Sequence, residues 1–103
     1  MSNNYHIQLQ TDATRSLIKF INEHRGQSDI NLEKCLSAIE QEDIEHFVKY
    51  AKMVKPHGMG GITDWFPPVV FSNETNEYVT TILHALVNHW CHMVSLSFPK
   101  NEP

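Results

Sequence analysis

The sequence predicts an all-α domain of four helices, with a structured glycine, proline and aromatic loop set before a long last helix. Three observations lead there. Apolar residues recur at three- and four-residue spacing over most of the chain, the period of a helix face. Backbone breakers gather in one stretch, KPHGMGGITDWFPPVVF, which holds three of the four glycines. The chain has 103 residues, 41% hydrophobic and 19% charged, which suits a single domain with one modest core rather than a disordered chain.

In residues 1–10 Tyr5, Ile7 and Leu9 alternate with polar residues, and this favours an extended lead over an early turn of the first helix. Thr11 or Asp12 is the expected N-cap. Over residues 12–25, Ala13, Leu17, Phe20, Ile21 and His24 share one arc at ~100° per residue. Gly26 is the expected C′ residue. Ser28 or Asp29 then caps a second helix that runs to Gln41, with Leu32, Cys35, Leu36 and Ile39 as its apolar stripe. A short corner at Glu42 and Asp43 leads into a third helix over residues 43–55. There Ile44, Phe47, Val48, Ala51 and Val54 face one way while Glu45, Lys49 and Lys52 face the other. So short a connection implies an antiparallel hairpin or a sharp corner. Pro56 closes the segment because it lacks an amide donor and disfavours helical geometry at Lys55.

The loop spans residues 56–72. Gly58, Gly60 and Gly61 are structural, supplying positive φ or close backbone approach. Trp65, Phe66, Val69, Val70 and Phe71 carry the apolar surface expected to hold the loop down. Pro67 and Pro68 enforce extended backbone, and residues 69–71 are candidates to pair as a scrap of strand with residues 5–9. Ser72 or Asn73 is the expected cap of the last helix, over residues 74–97. Its apolar arc comprises Val79, Ile82, Leu83, Leu86, Val87, Trp90, Met93 and Val94, and its opposite stripe includes His84, Asn88 and His92. Residues 99–103 read as a frayed tail.

Several function classes are disfavoured. The start, MSNNYHIQLQ, has neither a basic region nor an apolar core, so a signal peptide is not expected, and no run is long enough to cross a bilayer. A cytoplasmic location follows, with Cys35 and Cys91 reduced and packed. Net charge is −4 with histidines neutral, which argues against sequence-independent nucleic-acid binding. HGMGG fits neither phosphate-loop pattern and is followed by no nearby Lys or Arg, so no nucleotide or other cofactor is expected. No Ser or Cys stands in a nucleophile context, and no catalytic residue is assigned.

Two constellations remain. Glu40, Glu42, Asp43 and Glu45 gather at the corner between the second and third helices. Three of them suit the positive end of the third helix, but Glu40 lies at the negative end of the second. Such a knuckle suits a basic protein partner, with Asp64 and the aromatic anchor Trp65 completing the partner-binding set. Self-association along the apolar edge of the last helix is compatible with this. The alternative is a zinc-binding enzyme or sensor using His57, Asp64 and His89 or His92. The three-residue spacing of His89 and His92 permits a shared ion, yet no HExxH or paired CxxC accompanies it, and solvated histidines are the simpler reading.

Over residues 32–70 the chain resembles a bacterial family of small helical domains of unknown function. In that family an Ile-x-x-x-Asp turn and a helix precede a GGMGS-(Leu/Phe)-(Asn/Thr)-Asp loop. The matching residues are Ile39, Asp43, Ile44, Phe47, Gly58, Met59, Gly60, Gly61, Ile62, Thr63 and Asp64. His57 stands where the pattern prefers glycine, and Gly61 replaces the usual serine. The resemblance implies a fold and a bacterial origin rather than an activity. By analogy with small acidic helical proteins, the expected function is a protein-binding module of the immunity or inhibitor type, which blocks a basic partner such as a toxin.

Overall fold

The structure, a computed structural model, describes residues 3–98. Four α-helices, α1 (Asn3–Glu23), α2 (Ile30–Glu40), α3 (Ile44–Ala51) and α4 (Asn76–Ser95), pack with one 3-10 turn at Ile62–Asp64, and no strand is present among the described residues. The domain is all-α. The central helix α1 lies against both α2 and α4, α2 forms a corner with α3, and the 3-10 turn rests on α4. Among the described residues no helix is long and apolar enough to cross a membrane.

The predicted stripes form the core. Leu17, Leu32, Cys35, Ile39, Phe47, Val79, Leu83 and Val87 are all fully buried. Each large apolar side chain so buried contributes about 1.5–3 kcal/mol relative to exposure. Asp29 and Asp43 cap α2 and α3 by accepting the amides of Asn31 at 2.7 Å and His46 at 3.2 Å. At its end α3 tightens, Met53 N bonding Tyr50 O and Val54 N bonding Ala51 O, before Pro56 prevents further helix.

Four expectations are corrected. Residues 5–9 are not extended, because α1 already begins at Asn3 and the proposed N-caps Thr11 and Asp12 lie inside it. Its first half buries polar side chains, Gln10 and Thr14, and therefore shows no continuous apolar stripe. The strand scrap is absent: residues 66–70 run without a ladder partner. The cap of α4 is Thr75 rather than Ser72 or Asn73, since residues 71–74 are held in a turn closed by Glu74 N on Phe71 O. Finally, Arg25 and not Gly26 takes the left-handed position after α1, with φ 65°. Gly26 N bonds Ile21 O and Arg25 N bonds Asn22 O, the pair of hydrogen bonds of a Schellman motif shifted by one residue. The predicted tail at 99–103 lies outside the described residues.

Thr14 accepts from Trp90 Nε1 at 2.9 Å and donates to Gln10 O at 2.8 Å. Gln10 Nε2 donates to Met93 O at 2.8 Å and to Ser97 Oγ at 2.7 Å. This polar seam fixes the register of α1 on α4.

Candidate functional site

The loop between α3 and α4 closes on itself. Gly58 and Gly60 have φ of +85° and +80°, the left-handed region that glycine enters without strain. Gly61 is required for space instead, since a β-carbon there would sit 2.7 Å from the His57 carbonyl oxygen. Backbone donors are satisfied internally: Gly61 N bonds Gly58 O, Ile62 N bonds Lys55 O, and Thr63 N bonds Pro56 O. Asp64 Oδ2 accepts from Gly60 N at 3.1 Å, and His57 Nδ1 lies 3.3 Å from Thr63 Oγ1. These amides are committed to the loop's own oxygens and do not converge outward on an anion. Asp64 thus acts as a local brace, whatever else it touches.

Trp65 clamps the loop to the body. It is half-buried, and its ring lies so close to Gly26 that a β-carbon there would meet ring carbons at 2.8 Å. Beside it runs a groove of about 390 Å³ lined by residues including Ile21, Gly26, Lys55, Gly61 and Trp65. The expectation that Phe66 also holds the loop down is overturned, because Phe66 is 81% exposed and Met59 86%. Pro67, next to it in the chain, is buried instead. Val69 and Phe71 are also exposed on the chain that returns to α4.

At the acidic corner two of the four carboxylates are already engaged. Arg15 donates to Glu40 Oε2 at 2.9 Å, which offsets the unfavourable place of Glu40 at the end of α2. Asp43 caps α3 and also lies 2.7 Å from His46 Nδ1. The amide of His46 and then its ring hold the Asp43 carboxyl below its ordinary range. Glu42 and Glu45 are exposed, and Glu42 takes the left-handed position after α2 with φ 59°.

The alternative metal set is not assembled. His57 and Asp64 belong to the loop while His89 and His92 are exposed on α4, and no three His, Cys, Asp or Glu among the described residues are placed to hold an ion. Both cysteines are free. Burial, and then the field of Asp29, pushes the Cys35 thiol up to about 12, so it stays protonated while bonding Phe47 O. Burial also raises the pKa of Cys91.

One titratable pair escapes a sequence reading. His24 Nε2 lies 2.8 Å from Glu74 Oε2, with the two side chains 3% and 7% exposed. A histidine on an apolar helix face signals a buried partner, but nothing in the sequence singles out a carboxylate 50 positions away.

No family model, curated protein or solved structure matches this chain.

Proposed function

We propose that this chain is a protein-binding module of the immunity or inhibitor type, acting in the cytoplasm by occupying a more basic protein partner. The observation that supports this best is the display of Met59 and Phe66, 86% and 81% exposed, on a loop that is otherwise braced and clamped. Large apolar side chains held in water by a rigid support lose little entropy on docking, and that is the economy of a recognition anchor. Trp65, the anchor expected from the sequence, supports the loop from behind, so the contact role passes to its neighbour Phe66. A net charge of −4, with Glu42 and Glu45 exposed at the α2–α3 corner, suits a basic rim on the partner. The Gly58–Asp64 motif is what supports kinship with the bacterial glycine-methionine-glycine family.

The test is site-specific photo-crosslinking in the source cell, with the probe at position 59, at position 66 and, as a control, at the exposed Lys19. One discrete product of a single mass is expected from 59 and 66 and none from 19. Glu42→Lys with Glu45→Lys should reduce its yield, and these positions avoid the engaged Glu40 and Asp43. Equal products from all three positions, or none from the loop, would overturn the proposal. A product of twice the chain's own mass would replace the foreign partner by self-association.

A further inference from the structure

His24 ends α1 with both ring nitrogens facing oxygens. Nδ1 lies 2.9 Å from the Phe20 carbonyl oxygen and Nε2 lies 2.8 Å from Glu74 Oε2. A carbonyl and an ionised carboxylate can only accept, so each nitrogen must donate, and only the imidazolium carries both protons. The second carboxylate oxygen of Glu74 accepts from the amides of Val70 at 3.1 Å and Phe71 at 3.0 Å. One nearly buried carboxylate therefore ties the end of α1 to the segment that leads into α4. The ring is packed between aromatics, stacked on Phe20 at 4.0 Å and meeting the Phe71 ring edge-on at 5.6 Å.

We propose that His24 and Glu74 form a pH-operated latch on the recognition surface: protonated His24 holds residues 70–74 against α1, and loss of that proton frees them. The consequence for docking rests on the loop reading above; the latch itself does not. A neutral imidazole keeps one proton. If it stays on Nδ1, the Nε2 lone pair faces the carboxylate; if it stays on Nε2, the Nδ1 lone pair faces the Phe20 carbonyl. In both forms one contact becomes repulsive, and the nearly buried Glu74 carboxylate loses the cation that faces it. The charged groups acting on His24 are Glu74, from the segment before α4, and Glu23, from α1 itself. Burial favours the neutral ring, but the bonds to Glu74 and Phe20 and the fields of the two carboxylates outweigh it, and the His24 pKa stands above its ordinary 6.5. The latch is therefore closed below pH 6.5 and opens as pH climbs through the raised folded-state value.

Nitrogen NMR of the His24 ring, with amide hydrogen exchange at Val70, Phe71 and Leu83, tests this between about pH 5.5 and pH 9. Protection at Val70 and Phe71, corrected for the intrinsic pH dependence of exchange, should fall about tenfold or more as His24 deprotonates, while Leu83 stays unchanged. In His24→Gln that pH dependence should vanish. Should this variant not fold, Glu74→Gln is expected to lower the His24 pKa and move any remaining transition to lower pH. Unchanged protection at 70 and 71 through the His24 titration in the wild-type protein overturns the latch. Opening that leaves crosslinking from position 66 the same at both ends of the range overturns its control of docking. Opening with no crosslinking at any pH overturns the loop reading and leaves the latch standing.

Discussion

The indole ring of Trp65 occupies the space that a side chain on Gly26 would need. A β-carbon at Gly26 would lie 2.8 Å from the Cζ2 and Cη2 atoms of Trp65 and equally close to Ile21 Cγ2. Residue 26 is glycine because a ring from the loop comes this close to the end of α1, and not because the backbone there needs a left-handed turn. Gly26→Ala should therefore cost about 1–3 kcal/mol by overpacking. Trp65→Leu should recover part of that loss when combined with it, so the double-mutant cycle in urea should return a coupling well above zero. Strict additivity would mean that the ring and the glycine do not share this space.

The His24–Glu74 pair sets a pH window for stability. The His24 pKa is raised above 6.5, so its contribution is fully present below that value and is lost as pH climbs through the folded-state value. The Glu74 pKa moves the other way. Burial opposes ionisation there, yet the Phe71 amide, the His24 ring and the Val70 amide hold the carboxyl below its ordinary 4.5. Its contribution is present above 4.5 and is lost as pH falls through the lower folded value. The pair thus contributes most between about pH 4.5 and pH 6.5. Unfolding free energies measured across pH for wild type and His24→Gln should differ most inside that window and converge on its alkaline side. A difference that is flat with pH would mean that the pair contributes no charge-dependent stability.

What was legible in the sequence was whatever repeats with the helix period. Leu32, Cys35, Ile39, Phe47, Val79, Leu83 and Val87 were expected inside and are inside, and Asp43 was expected to begin α3 and does. The first ten residues were misread for a physical reason. Gln10 and Thr14 occupy core positions of α1 but are polar, and Met93 O and Ser97 Oγ receive the Gln10 amide protons while Trp90 Nε1 bonds the Thr14 hydroxyl. Periodicity scores such residues as surface, so the apolar stripe of α1 is broken in the sequence although the helix begins at Asn3. The exposure of Phe66 was hidden for a related reason: composition tells how much apolar surface a loop carries, not which ring faces inward. His24–Glu74 was hidden by sequence distance alone.

The loop glycines separate two kinds of need. Gly60 has φ +80° with open space around it, so Gly60→Val should destabilise through backbone strain alone, by about 1–3 kcal/mol. Gly60→Asn should be milder, because Asn enters the left-handed region more readily. At Gly61 the backbone is ordinary and the obstacle is the His57 backbone, so Gly61→Ala should act by displacing the 55–58 segment. Thermal melts of the three variants should rank Asn at 60 as the least harmful. Equal midpoints for Gly60→Val and wild type would show that the turn does not constrain this position.

The seam between α1 and α4 gives the last expectation. Trp90 is 2% exposed, and its indole N–H donates to Thr14 Oγ1, which is itself fully buried. Thr14→Val keeps the shape of the side chain but removes the acceptor, leaving a buried donor with no oxygen to receive it. The cost should be about 1–3 kcal/mol, the desolvation of an unpaired polar group. Thr14→Ser keeps the hydroxyl and gives up only one methyl, about 0.8 kcal/mol of burial, so it should be the smaller loss despite its smaller volume. Ranking the two by urea unfolding separates the explanations: if Ser costs more than Val, packing holds α1 on α4 and the hydrogen bond contributes nothing to it.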